Sequence, residues 1–206
     1  MNRITEPDST QLEFSALFPE IVLASQSENR RALLERGGTT VHQIPTDTDE
    51  KRIGSSPEEA VLNIARAKMR AYLSSSGKMS HLPALSADTL VLFENSLIGK
   101  AKNEDEAKRT IKLFSGKKQM VISAALLYIP EKEMIEVVDT AIVQFKKLSD
   151  AQIDDYIASG DWIGAAGSYR LQRNGWSIVE RIEGDWTTVV GLPLRKLIIA
   201  TKKALK

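Results

Sequence analysis

Residues Ile21-Val22-Leu23-Ala24 run straight into Ser25-Gln26-Ser27 and then into Glu28-Asn29-Arg30-Arg31-Ala32-Leu33-Leu34. An apolar run that ends in small hydroxyl residues and gives way at once to a charged amphipathic segment has few ways to fold. It reads as a strand over 20–24, a tight turn and a helix over 28–36, which Gly37-Gly38 ends. The first backbone N–H groups of such a helix are unpaired and point at one spot, where the helix dipole favours negative charge. Ser25 and Ser27 add hydroxyls there, and Arg30 or Arg31 adds a guanidinium whose fork suits phosphate oxygens. The same residues would equally make an ordinary serine cap beside a solvated arginine pair. What lies downstream decides between the two.

Composition removes several alternatives. The 206 residues carry 28 basic and 27 acidic side chains, a net charge of +1, so no basic excess marks a nucleic-acid polymer as partner. There is no cysteine, which excludes disulfides, thiolate catalysis and cysteine metal sites. His42 and His81 are the only histidines, too few for a His-rich metal site. No apolar run reaches the roughly 20 residues of a membrane span, and residues 1–18 have no secretory character. A cytoplasmic protein with no membrane partner is expected. Residues 1–18 read as a flexible N-terminal arm, and 19–206 as a single domain.

Past Gly38, 41–44 reads as a short strand and 45–56 as a polar loop with Asp47, Asp49 and Glu50. Facing the phosphate turn, those carboxylates would suit a divalent cation. Ser56-Pro57-Glu58-Glu59 reads as a capping box with proline at the first helical position. The helix it opens, over 57–73, presents Val61, Ile64, Ala65, Ala71 and Tyr72. Lys68 falls inside that stripe, either snorkelling to water or aimed into a cleft. Strands are expected over 82–85 and 90–93, with Ser86-Ala87-Asp88-Thr89 between them. An aspartate in so apolar a setting is costly unless paired or metal-bound. Gly99-Lys100 lacks the rest of the phosphate-loop pattern. A capped helix from Asn103, long strands over 119–129 and 134–145, and a capping box at Ser149 to Gln152 follow. Ala166-Gly167-Ser168-Tyr169-Arg170-Leu171-Gln172 is small and irregular, where backbone can approach a ligand. A strand over 176–182, a turn at 184–186 and a basic C-terminal helix complete the chain.

Taken in order, ASQSENRRALL, Ala65-Arg66-Ala67-Lys68, SADT with its following GK, LFSGKKQ, AGSYRLQ and VERIEGDWTTVVGLPL resemble the Maf family of nucleoside triphosphate pyrophosphatases. The resemblance implies an α/β fold, with a mixed, strongly curved sheet flanked by helices and two lobes around a deep nucleotide cleft. It implies cleavage of a nucleoside triphosphate between its α- and β-phosphates with a divalent cation, Mg²⁺ or Mn²⁺. Asp88 then matches the general base, Lys68 and Lys100 the catalytic cations, and Glu50 (or Asp49 beside it) a second catalytic and metal-binding carboxylate. Ser25, Ser27, Asn29, Arg30, Thr89 and Gln172 match the substrate-binding positions. A homodimer is expected from the same likeness.

Three positions separate the family's branches: Arg, Thr and Gln in those resembling dTTP/UTP pyrophosphatases, an aromatic residue, Gln and Glu in those resembling 7-methyl-GTP pyrophosphatases. Here they read Asn29, Thr89 and Gln172. A neutral amide matches the O4 and N3–H edge of uracil or thymine, whereas a cationic 7-methylguanine would be better served by a carboxylate. Ser168 in the AGSY motif and Ala165 just before it lean toward the second branch. The expectation is therefore a pyrimidine nucleoside triphosphate, with 7-methyl-GTP as the alternative. A non-catalytic nucleotide-binding regulator of septum formation is the reading from another class, and a plain α/β domain with scattered polar residues is the third.

Overall fold

The computed structural model describes residues 8–46, 48, 53–75, 77–79 and 81–206. Part of the expected flexible arm is a helix instead: α1 (Ser9–Leu17). Asp8 and Gln11 cap it reciprocally, each side chain accepting from the other's backbone N–H at 3.0 and 3.1 Å. Gln11 then donates to the Leu33 carbonyl at 2.7 Å, and the buried rings of Phe14 and Phe18 lie 5.2 Å apart. A capping box and two aromatics outweigh the weak apolar stripe that made this stretch read as an arm.

Strand β1 (Glu20–Leu23), helix α2 (Glu28–Arg36) and strand β2 (Thr40–Gln43) follow as the opening motif requires. Helix α3 (Pro57–Leu73) starts where the proline and the Ser56 cap place it. The expected capping box is only half made, because the Glu59 carboxylate accepts from the Ser55 N–H and hydroxyl rather than from the Ser56 N–H. Strand β3 (Ala84–Phe93) is one ten-residue strand where two were expected, because Ser86 to Thr89 continue the ladder with β5 rather than turning. After it come β4 (Ser96–Ile98), α4 (Glu104–Phe114), β5 (Lys118–Tyr128), β6 (Ile135–Phe145) and α5 (Asp150–Ala158). A π-helical turn (Leu171–Gly175) leads through one helical turn, α6 (Trp176–Ile178), to β7 (Val179–Glu183). The expected strand over 176–182 thus begins three residues later. Helices α7 (Trp186–Val190) and α8 (Leu194–Ala204) finish the chain.

The seven strands form one mixed sheet in the order β2-β1-β3-β5-β6-β7, with β4 added beside β3. β1 runs parallel to β2 and β3, and the remaining pairs are antiparallel. Strand periodicity gives each face its own core. Val22, Ala24, Ala84, Leu90, Ile122 and Leu126 meet α3 on one side, and Leu23, Leu85, Val91, Phe114, Phe145 and Leu197 belong to the core of the other. That second core contains a chain of rings, Phe93–Phe114–Phe145–Tyr169, at centroid spacings of 5.2, 5.1 and 5.2 Å. Among the described residues no helix is long and apolar enough to cross a membrane.

One topological detail positions the site. β5 covers one edge of β3 from Ala84 to Leu92. On the other edge β1 pairs only at Ala84 and Leu85, and β4 only from Val91 to Phe93. Among the described residues, 86–90 therefore have no strand neighbour on that side. The sheet opens there, just past the C-terminal end of a parallel strand, which is where α/β sheets present ligand crevices.

Candidate active site

A cleft of about 660 Å³ fills this opening, and Ser25, Ser27, Asn29, Arg30, Lys68, Asp88, Thr89, Lys100 and Gln172 all line it. They come from five separate stretches of chain. Glu50, with Asp49 and Asp47, lies outside the described residues.

β1 delivers the chain to the serine-bearing bend. Ser25 is buried, and its hydroxyl oxygen accepts from the Ser27 N–H at 3.2 Å and from Arg30 Nη1 at 3.0 Å. Ser27 caps α2 by accepting from the Arg30 N–H at 3.4 Å. The helix start thus faces the cleft with Asn29 half-buried in its first turn. Arg30 was expected to offer its fork to phosphate, yet the fork is first a brace. Nε donates to the Gly191 carbonyl at 2.9 Å, and Nη2 donates to Thr89 Oγ1 at 3.1 Å. Gly191 sits at φ 116°, and a Cβ there would crowd both Arg30 Nε and Thr89 Oγ1 at 3.2 Å.

Asp88 and Thr89 point to opposite faces of β3, and both reach the cleft because it opens at the strand's edge. Asp88 shares the α3 side. Lys68, on the buried stripe of α3, donates to Asp88 Oδ1 at 2.7 Å, with side-chain exposures of only 9% and 11%. The lysine therefore does not snorkel. An ion pair so little hydrated is held in place firmly, and loss of either partner would leave a nearly buried charge. On the other face Thr89 Oγ1 bonds Ser123 Oγ at 2.9 Å, and Ser123 donates to the Thr188 carbonyl at 2.8 Å. Ser123 has one proton and spends it on Thr188, so Thr89 is the donor in the hydroxyl pair. Thr188 donates in turn to Asp139 Oδ2 at 2.7 Å, and Lys196 pairs with Asp139 at 2.9 Å. The hydroxyl proton of Thr89 is committed away from the cleft, so toward a ligand it acts as an acceptor and as a support for Arg30.

Lys100 follows β4 and is exposed, with no ion-pair partner among the described residues. The AGSYRLQ segment is tied beside it, through a bridge between Lys100 and Ala166 and a bond from Gly167 N–H to the Gly99 carbonyl at 3.1 Å. Tyr169 anchors that segment, its hydroxyl accepting from Gln119 Nε2 at 2.5 Å, and burial pushes the phenol above its ordinary range. Gln172 stands half-buried on the π-helical turn, and its amide nitrogen is buried without a hydrogen-bond partner among the described residues. So are the hydroxyls of Thr46 and Thr48, two cleft residues that sequence patterning did not single out. Sequence reading also missed Ser123, Thr188 and Asp139. The one available signal was a set of polar residues on the inward positions of β5 and β6.

The cleft is lined by two carboxylates, Asp88 and Glu28, two lysines, two arginines, a helix start and several hydroxyls. Such a set can neutralise a polyanion and deliver a base beside it. The sequence profile described as Maf-like protein matches residues 20–204. A dTTP/UTP pyrophosphatase of Shewanella sp. (strain MR-7) is 39% identical over 180 residues, covering 84% of this chain and 92% of that one. Others from Anaeromyxobacter dehalogenans (35% over 190 residues; 90% and 94% covered) and Bacillus cereus (36% over 186; 89% and 95%) are similar. The chain belongs to the Maf-like family. A solved HAM1 protein from Coxiella burnetii aligns with 90% of this chain and 99% of its own at 17% identity, with a TM-score of 0.46, too loose a likeness to build on.

Proposed function

We propose that this cleft hydrolyses a nucleoside triphosphate, dTTP or UTP first among them, to the monophosphate and pyrophosphate. The convergence of the Lys68–Asp88 pair, Lys100 and the serine bend in one opening of the sheet carries this reading. The names of the similar enzymes support it and point to the pyrimidine substrates. The start of α2 and Lys100 hold the phosphates, with Arg30 keeping Ser25 and Thr89 in register. Asp88 accepts a proton from the attacking water as its oxygen bonds the α-phosphorus, and the bond to the bridging oxygen breaks to release pyrophosphate. Lys68 orients Asp88 and balances its charge beside the phosphates. Gln172 meets the O4 and N3–H edge of the base with a donor and an acceptor.

A divalent cation fits the donor chemistry. Among the described residues no three of His, Cys, Asp and Glu gather to cage a metal. One buried cleft carboxylate, Asp88, with hydroxyls nearby suits Mg²⁺ or Mn²⁺, which take one or two carboxylates and complete their shell with phosphate oxygens and water. Asp88 would hold it, with Glu50 the expected second carboxylate. When bound, the cation supplies charge neutralisation to the phosphates and acidifies a bound water.

A panel of nucleoside triphosphates with Mg²⁺ or Mn²⁺ tests the reading. Pyrophosphate release is expected from UTP and dTTP well above 7-methyl-GTP, and chelation of the metal should end it. Silence across the whole panel would refute the reading.

A further inference from the structure

Among the described residues four charged side chains are buried: Arg30, Lys68, Asp88 and Asp161. The first three line the cleft. Asp161 does not, although at 3% exposure it is the most deeply buried of the four. A carboxylate is not placed there without return, because an ion so far from water must be well bonded. Its oxygens are spent on one object, the turn that carries Gln172. Oδ2 accepts from the Asn174 backbone N–H at 3.0 Å and from Asn174 Nδ2 at 2.9 Å, and Oδ1 lies 3.5 Å from Arg173 Nη1. The Asp161 carbonyl accepts from Arg170 Nη1 at 3.1 Å. Gln172 is thus held from both sides by residues bonded to Asp161.

The turn needs such support. It is a five-residue π-helix with no side-chain cap, and Arg173 inside it has φ −111° and ψ −120°, outside any helical region. Short π-helical segments are rare and occur frequently at functional sites. Gly175 closes the turn by donating to the Arg170 carbonyl at 3.0 Å, where a Cβ would stand 2.5 Å from that oxygen.

The support matters because an amide is two-faced. With nitrogen toward O4 and oxygen toward N3–H it reads uracil or thymine; rotated, it reads the N4 amino group and N3 of cytosine equally well. We propose that Asp161 is a positioning residue for base selectivity, holding the Leu171–Gly175 turn so that the Gln172 amide meets the pyrimidine edge in one orientation only. The base class rests on the pyrophosphatase reading; the mechanical role of Asp161 does not.

Calorimetric affinities for UMP and CMP on the full-length protein test this, because the two ligands share their phosphate and ribose. The intact protein should prefer UMP. Asp161→Asn should cut the UMP-to-CMP affinity ratio at least about tenfold, by weakening UMP and not CMP. Asn174→Ala, which removes one of the donors and leaves the carboxylate, should shift it the same way by less. A purely structural role would weaken both nucleotides alike or lower only the melting temperature. An unchanged ratio in both variants, or equal affinities in the intact protein, overturns the proposal. Pyrophosphate release by the intact protein, followed separately, decides the hydrolytic reading whatever the ratio does.

Discussion

Lys68 and Asp88 illustrate how one residue's surroundings set its use. A lysine on a buried helical stripe is tolerable only if its charge is met, and Asp88 meets it at 2.7 Å. Removing Lys68 by substitution to methionine should cost about 3 kcal/mol, the usual range for orphaning one partner of a buried pair. The double variant Lys68→Met, Asp88→Asn should recover most of that in thermal denaturation; strictly additive losses would mean that the pair is not coupled. Ser123 is a different case, since it is buried behind Thr89 and does not line the cleft. Ser123→Ala leaves Thr89 without its acceptor, so Thr89 can turn its proton elsewhere and loosen Arg30. A loss of about 1–2 kcal/mol in stability is expected, with a rise in KM larger than the fall in kcat. An unaltered KM would show that the hydroxyl chain does not reach the substrate.

At the scale of single elements, local sequence and distant contact contribute unequally. α3 is specified locally: Ser56 accepts from the Glu59 N–H at 3.2 Å, Pro57 takes the first position, and Ser56→Ala should cost about 1 kcal/mol in denaturant titration. The serine bend and the start of α2 were legible for the same reason, as hydroxyl caps leave a mark in the chain. The π-helical turn was not, because a carboxylate ten or more residues away holds it. Nor was the continuity of β3, since Ser86 and Asp88 break the apolar pattern and only the ladder with β5 shows that the strand runs through. The segment anchored by Tyr169 allows a pH test. Burial raises the phenols of Tyr156 and Tyr169 above the ordinary value of 10.0. A raised folded-state value means that the unfolded chain loses these protons first. The stabilisation is therefore fully present below about pH 10 and declines as pH climbs further. Urea midpoints should fall across that range, and less steeply in Tyr169→Phe; a flat profile would contradict the burial.

For the whole molecule, the decisive feature is where the sheet lets go. Sequence motifs listed the chemical groups but not their meeting place, because the gap between β1 and β4 on the edge of β3 depends on strand lengths in four elements. The near-neutral charge balance includes surface ion pairs such as Arg31–Glu35 and Lys112–Asp150. What remains is a polar opening whose one buried carboxylate among the described residues is Asp88, at the middle of the unpaired edge, with the exposed Glu28 also in its lining. The most direct measurement is pyrophosphate released from UTP by the intact protein and by Asp88→Asn, side by side with Mg²⁺ at one temperature below both melting points. The expected result is release by the first and a loss of about 10²–10⁴-fold in the second, with the fold retained by circular dichroism. Release by Asp88→Asn at the intact protein's rate would place the chemistry somewhere other than this cleft.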